Sequence, residues 1–316
     1  MGSLKLLQIA RDDPPGIRAE LLAGLRAPTA AIAPKYLYDA LGSRLFCAIT
    51  ELPEYYPTRT EAAIFATELP AIAATLGPVH TLVDLGAGSC EKAQRLFGAL
   101  AVERYVAVDI SAGYLRVVLE DMHRHYPALD ILGVGLDFSA RLELPAEVGE
   151  GPRTLFYPGS SIGNFTPHQA LDFLRQAHAT SQGGALLIGV DLVKPARVLE
   201  PAYDDPLGVT AAFNRNMLLH LTRLAGTDFD IRQWRHVAFF NTTESRIEMH
   251  LEATADNVVR WAEGDRHFAR GERIHTENSY KWRVDDFSGM LRAAGFSRLS
   301  HWTDPHGWFA VFAAFV

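Results

Sequence analysis

Hydrophobic positions fall into two regimes along the chain. From about residue 80 to residue 194, short apolar runs alternate with longer amphipathic stretches. HTLVDLG, RYVAVDIS, ILGVGLDF, RTLFYPGSSIGNF and GALLIGVDLV are of strand length and largely apolar throughout. SCEKAQRLFGAL, AGYLRVVLEDMHRHYP and HQALDFLRQAHAT space their apolar residues for a helix. This alternation predicts βαβ units and a parallel sheet covered on both faces. Just upstream, TRTEAAIFATELPAIAATLG predicts a helix that Thr58 or Thr60 caps, Glu61 complements and Gly77 ends.

After about Lys194 the alternation stops. A helical stretch, GVTAAFNRNMLLHLTRLAG, is followed by strand-like pieces RHVAFFN, SRIEMHLEAT and VVRWAEG. The alternation then resumes with DDFSGMLRAAGF as a helix and SRLSHWTD and GWFAVFAAFV as strands. The short Asp-Pro-His-Gly link between those two strands favours an antiparallel pair. The expected fold is α/β: a mostly parallel sheet ending in that antiparallel pair, from residues 58–194 and 281–316, which resembles the methyltransferase variant of the Rossmann architecture. A second, mixed α+β substrate lobe is expected from residues 1–57 and 195–280.

Composition narrows the function classes. With 316 residues the chain is long for one compact core, which agrees with a domain plus a lobe. A formal net charge of -7 and no dense Lys/Arg run argue against nucleic acid or an acidic membrane as partner. Cys47 and Cys90 are the only cysteines, too few for a disulfide framework or a thiolate metal site, so no metal is expected. The opening MGSLKLLQIARDDPP lacks the apolar core of a signal peptide, and no later run is long and apolar enough to span a bilayer. A soluble, cytoplasmic monomer acting on a small molecule is the expectation.

The candidate cofactor loop is Asp84-Leu85-Gly86-Ala87-Gly88, where the chain leaves a strand and turns into a helix. Gly86 and Gly88 permit a tight turn and close approach of a ligand to the backbone. Glu91 stands where a pyrophosphate-binding loop wants its third glycine, which disfavours a dinucleotide. Asp109 ends the next strand, where a carboxylate accepts from ribose hydroxyls; capping the helix that follows Ser111 is the competing role. Asp137 and Phe138 close the third strand and offer an acceptor for an adenine amino group and a face for its ring. Lys92, in the first turn after the loop, suits the carboxylate end of a cofactor. Together these residues suit S-adenosylmethionine as methyl donor.

YDALGSRLFCAITELPEYYPTRTE, FYPGSSIGNF, AYDDPLGVTAAFNRN, SRIEMHL and HTENSYKW are long, unusual stretches spread from about Pro34 to the C-terminal WTDP. They resemble the histidine Nα-methyltransferases of ergothioneine biosynthesis, a family that also contains relatives acting on tryptophan derivatives. The resemblance implies three methyl transfers to the α-amine of L-histidine, giving the betaine hercynine. It places Gly86, Lys92, Asp109, Asp137 and Phe138 at cofactor positions. It also places Tyr55, Asn164, Tyr203, Glu277 and Ser279 on the substrate, with Met249 lining the same pocket and Asn278 between the two polar contacts.

Tyr38 and Asn164 are the candidate catalytic residues. Asn164 and Tyr203 together can bond the amine and carboxylate without adding a competing charge, and Tyr38, with Phe46 and Tyr55, offers aromatic faces to the cationic product. The proton acceptor is open among solvent, a tyrosine oxygen and an acidic side chain acting through water. Glu277 and Ser279 are two apart, so an extended segment turns both to one face, where they reach the two nitrogens of an imidazole. An enzyme methylating another aromatic amino acid such as tryptophan is the alternative, and a binding protein without turnover is a second.

Overall fold

A computed structural model describes residues 2–9, 13–139 and 141–316. Residues 1, 10–12 and 140, which belong to the expected lobe and sheet segments, lie outside the described residues. The strands in chain order are β1 (Leu4–Gln8), β2 (Ala30–Ala31), β3 (Thr81–Leu85), β4 (Arg104–Asp109) and β5 (Asp130–Gly135). Then come β6 (Thr154–Tyr157), β7 (Ala185–Asp191), β8 (Trp234–Asn241), β9 (Arg246–Ala253) and β10 (Asn257–Trp261). The last four are β11 (Gly264–Phe268), β12 (Arg273–Tyr280), β13 (Arg298–Thr303) and β14 (Phe309–Phe315).

The helices are α1 (Pro14–Arg26), α2 (Ala40–Thr50), α3 (Tyr56–Leu76), α4 (Glu91–Gln94) and α5 (Phe97–Leu100). They continue with α6 (Ala112–His125), α7 (Pro167–Thr180), α8 (Ala196–Leu199), α9 (Val209–Ala225) and α10 (Val284–Ala293). The chain divides into two compact units. Unit 1 takes Met1–Arg11, Pro57–Val193 and Lys281–Val316; unit 2 takes Asp12–Tyr56 and Lys194–Tyr280.

Unit 1 is built on an eight-stranded sheet in the order β1-β5-β4-β3-β6-β7-β14-β13. The first six are parallel, and β14 and β13 close the sheet as an antiparallel pair. This is the Rossmann-like sheet expected of the apolar runs: every residue of β3 and of β7 is buried. Burying such Leu, Ile and Val side chains is worth about 1.5–3 kcal/mol each. The strand order reverses beside β3, so the crevice at the carboxyl edge opens where β3, β4, β5 and β6 deliver their following loops. One helix start is set by a capping box: Thr166 accepts from the Gln169 N–H, and Gln169 returns a bond to the Thr166 backbone.

Three local features differ from expectation. Residues Leu4–Gln8, assigned to the lobe, form β1 and pair in parallel with β5 at the edge of the sheet. The reason lies across the strand. A side chain at Gly133 of β5 would strike Leu6 and Leu119 at 2.5 and 2.7 Å, so the missing Cβ makes room for Leu6 to dock. The helix expected over SCEKAQRLFGAL is two short helices, α4 and α5. Arg95 and Leu96 keep right-handed helical dihedrals, but the Leu96 N–H bonds Ala93 three residues back instead of four, so only the register breaks. Lastly, α3 begins at Tyr56, ahead of both expected threonine caps.

Unit 2 carries a four-stranded sheet in the order β2-β12-β9-β8 and a separate β10–β11 hairpin. Helix α9 packs on β8 and β9 and against α1 and α2. In β12 the register shifts between His275 and Glu277, after which Glu277, Asn278 and Ser279 pair regularly with Met249, Glu248 and Ile247. No helix among the described residues is long and apolar enough to cross a membrane.

Candidate functional site

In unit 1 the turn after β3 uses both glycines in the left-handed region, Gly86 at φ +74° and Gly88 at φ +51°. The Gly86 and Ala87 N–H groups bond the Val108 carbonyl, which fixes the loop to the end of β4. The Asp109 carboxylate then joins two elements. One oxygen accepts from the Gly88 N–H at 2.9 Å and the other from the Ser111 N–H at 2.8 Å, ahead of α6. The Ser111 bond is a turn bond to the N-cap residue and not a helix cap, since the cap position of α6 makes no side-chain bond; each carboxylate oxygen keeps a second lone pair.

Asp137 and Phe138 lie just beyond β5, not inside it. Asp137 accepts from the Ser139 N–H and hydroxyl at 3.0 and 2.5 Å, which turns the chain and presents Phe138. Phe138 stands edge-on to Tyr157 at 5.8 Å, and its ring tip would lie 3.8 Å from a Cβ on Gly86. The loop backbone and the ring thus border one space that a side chain at position 86 would enter.

Lys92 is not a free surface charge. Its ammonium donates to Glu61 Oε2 at 2.6 Å, and Glu61 Oε1 accepts from the Gly159 N–H at 2.8 Å. Glu61 is 1% exposed, so one buried carboxylate gathers α3, α4 and the loop after β6. Two glycines make space for it. A Cβ on Gly189 would lie 2.1 Å from Glu61 Oε1, and one on Gly159 would lie 3.1 Å from Lys92 Nζ. Beneath the loop, the buried Asp84 accepts from the Tyr105 hydroxyl at 2.7 Å, while its other oxygen has no partner. Burial pushes the Asp84 carboxyl up to about 7, and Asp109 and Glu61 push the same way against the Tyr105 bond and Lys92.

The loop after β6 carries Asn164, half-buried at the end of the turn Ser161–Asn164. Ser160, left-handed at φ +61°, accepts from the Asp191 N–H, and Asp191 in turn holds Lys281 in a fully buried ion pair at 2.8 Å.

Unit 2 brings together most of the substrate candidates. Tyr38, Phe46, Tyr55 and Tyr203 form a chain of edge-on rings with centroids 5.6, 6.1 and 6.2 Å apart. Phe213 of α9 joins it, 5.5 Å from Tyr38 and 6.0 Å from Phe46. The Tyr203 hydroxyl and Ser279 Oγ are hydrogen-bonded at 2.8 Å. Ser279 and Glu277 share one face of β12, buried to 5% and 7% exposure, with Met249 opposite Glu277. Asn278 does not join them. The two-residue period of the strand turns it to the other face, where its side-chain oxygen accepts from His275 Nε2 at 2.8 Å.

Glu61 and Phe213 were not among the sequence candidates. Both sit in helices where their spacing matches ordinary helix positions, and their partners lie far away in the chain. Nothing local marks them.

A family model described as histidine-specific methyltransferase, SAM-dependent, matches residues 17–315. The chain belongs to this family. The histidine N-alpha-methyltransferase of Mycolicibacterium smegmatis is 43% identical over 302 residues, covering 93% of this chain and 93% of its own. The protein of the same description from Mycobacterium tuberculosis is 41% identical with the same coverage of both chains. Ergothioneine biosynthesis protein 1 of Neurospora crassa is 30% identical over 84% of this chain, which is 31% of its own length. The cofactor of such a histidine-specific methyltransferase is S-adenosylmethionine, and unit 1 suits it. Its Asp109 carboxylate stands at the end of β4 and its Asp137 carboxylate just past β5, beside the Gly86 turn and the Phe138 ring.

Proposed function

We propose that this chain methylates the α-amine of L-histidine three times, giving hercynine as a step of ergothioneine biosynthesis. The observation that carries the reading is the hydrogen-bonded Tyr203–Ser279 pair beside the buried Glu277, on one face of β12. A carboxylate accepts from an imidazole N–H, and a hydroxyl serves the other ring nitrogen. An imidazole offers a ring nitrogen to each of these groups, whereas an indole has a single N–H and a phenol a single hydroxyl, and sites built to hydrogen-bond a substrate discriminate by about 10⁴-fold or more.

S-adenosylmethionine supplies an activated methyl group on a sulfonium. Gly86 and Gly88 admit it to the backbone, Asp109 accepts from its ribose, Asp137 from its adenine amine, Phe138 covers the ring and Lys92 takes its carboxylate. Because the sulfonium is already activated, the protein's task is alignment and exclusion of water around a neutral amine. Asn164 bonds the amine and carboxylate without adding charge. Tyr38, Phe46, Tyr55 and Phe213 present aromatic rings, whose faces each favour a quaternary ammonium by about 0.5–2 kcal/mol.

The test is incubation with S-adenosylmethionine and each amino acid in turn, with products resolved by mass spectrometry. Histidine is expected to gain three methyl groups and tryptophan and tyrosine almost none; equal methylation of tryptophan refutes the substrate assignment. In parallel, Glu277→Ala is expected to raise the histidine KM by about tenfold or more, with S-adenosylhomocysteine affinity changed less than about twofold. Equal loss of both would make Glu277 a structural residue.

A further inference from the structure

Tyr203 follows a short 3-10 turn, Glu200–Ala202, so no regular element fixes its orientation. Two bonds from β8 tether that turn instead, one from a backbone N–H and one from a side chain. The Phe240 N–H donates to Glu200 Oε1 at 3.1 Å, and His236 Nε2 donates to the Tyr203 carbonyl at 2.8 Å. The two tethering residues lie four positions apart on β8.

The imidazole of His236 is itself oriented. Its Nδ1 accepts from the Asn214 amide at 2.9 Å, and the same amide nitrogen donates to the His250 carbonyl at 3.0 Å. Asn214 is fully buried, and turning its amide over would aim an oxygen at two acceptors. The Asn214 orientation therefore selects the tautomer with the proton on Nε2, the one that reaches Tyr203. Burial holds the His236 ring below its usual pKa, which keeps it in that neutral form.

We infer that His236, oriented by Asn214, is a positioning residue for substrate recognition: it holds the Tyr203 backbone so that the hydroxyl meets Ser279. The inference rests on the assignment of Tyr203 and Ser279 to the histidine site. Its chain of contacts runs Asn214 amide, His236 ring, Tyr203 carbonyl, Tyr203 hydroxyl, Ser279 hydroxyl, with no substrate contact by His236 itself.

Two polar replacements separate the roles. Asn in place of His reproduces the Nδ1 position and loses the Nε2 donor, whereas Gln reaches the Nε2 position and keeps a donor. Histidine affinity is measured by calorimetry with S-adenosylhomocysteine saturating, alongside S-adenosylhomocysteine affinity alone and thermal melting. His236→Asn is expected to weaken histidine binding by about tenfold and His236→Gln by less than about threefold, with S-adenosylhomocysteine affinity unchanged in both. In a double-mutant cycle, His236→Asn on top of Tyr203→Phe is expected to add less than about threefold, because the hydroxyl it places is already gone.

Equal losses in the Asn and Gln variants, parallel loss of S-adenosylhomocysteine affinity, or additive effects in the cycle overturn the inference. If His236→Asn does not fold, the His236→Gln and Asn214→Ser variants are read in the same way, the first expected to retain and the second to lose histidine affinity. Should Tyr203→Phe leave histidine binding unchanged, the substrate site itself is misassigned and the inference falls with it. Weakening by Tyr203→Phe without weakening by His236→Asn removes the positioning role alone.

Discussion

At the scale of single residues, Asp84 is a carboxylate whose chemistry departs far from its ordinary behaviour. An exposed aspartate ionises near pH 4, whereas burial pushes Asp84 up to about 7. Between those values the folded chain retains a proton that the unfolded chain has lost, so stability falls as pH rises through the window. Asp84→Asn removes this titration while keeping an oxygen to accept from Tyr105. The melting temperature of the variant relative to wild type is expected to rise by several degrees from about pH 5 to about pH 8. A gap that stays constant across that range would show that Asp84 carries no proton there. Asp109 gives a second lesson at this scale: the helix cap that competes with ribose binding in the sequence is not made, and its two oxygens instead tie the glycine loop to the turn ahead of α6.

At the scale of elements, the alternating apolar runs made β3 to β7 legible because each is buried on both faces and bounded by turns. The antiparallel end of the sheet was equally legible from the short link before β14. What was not legible depended on partners distant in the chain. β1 has five residues and an exposed lysine among them, and its place depends on a glycine more than a hundred positions away. The Glu61 network has the same character, since Glu61, Lys92 and Gly159 come from three separate segments. Glu61 offers two acceptor oxygens to two donors. Glu61→Gln leaves one of those donors facing an amide NH₂, so S-adenosylhomocysteine affinity measured by calorimetry is expected to fall about tenfold. Unchanged affinity would confine Glu61 to holding the helix start. For the substrate candidates, period-two alternation in β12 paired Glu277 with Ser279 and separated Asn278, a distinction that motif matching alone does not make.

At the scale of the whole molecule, each unit is assembled from segments that the other unit interrupts. The family match extends through these interruptions, from residue 17 to residue 315, so the discontinuity belongs to the matched region as a whole. The outermost parallel strand, β1, covers the edge of β5. Deleting residues 1–8 bares that edge, and the truncated chain is expected to melt lower and to scatter light increasingly with concentration. A truncation that melts and scatters as the full chain does would mean that β1 is dispensable.

The pairing of β2 with β12 has a consequence during synthesis. On a ribosome adding about 5–20 residues per second, the first strand of the unit 2 sheet waits on the order of ten seconds or more for its partner to emerge. Over that interval the buried leucines of α1 have no finished core to enter. The nascent chain must keep them from other nascent chains, so the yield of native protein should respond to chaperone supply and elongation speed more than the finished molecule's stability would suggest.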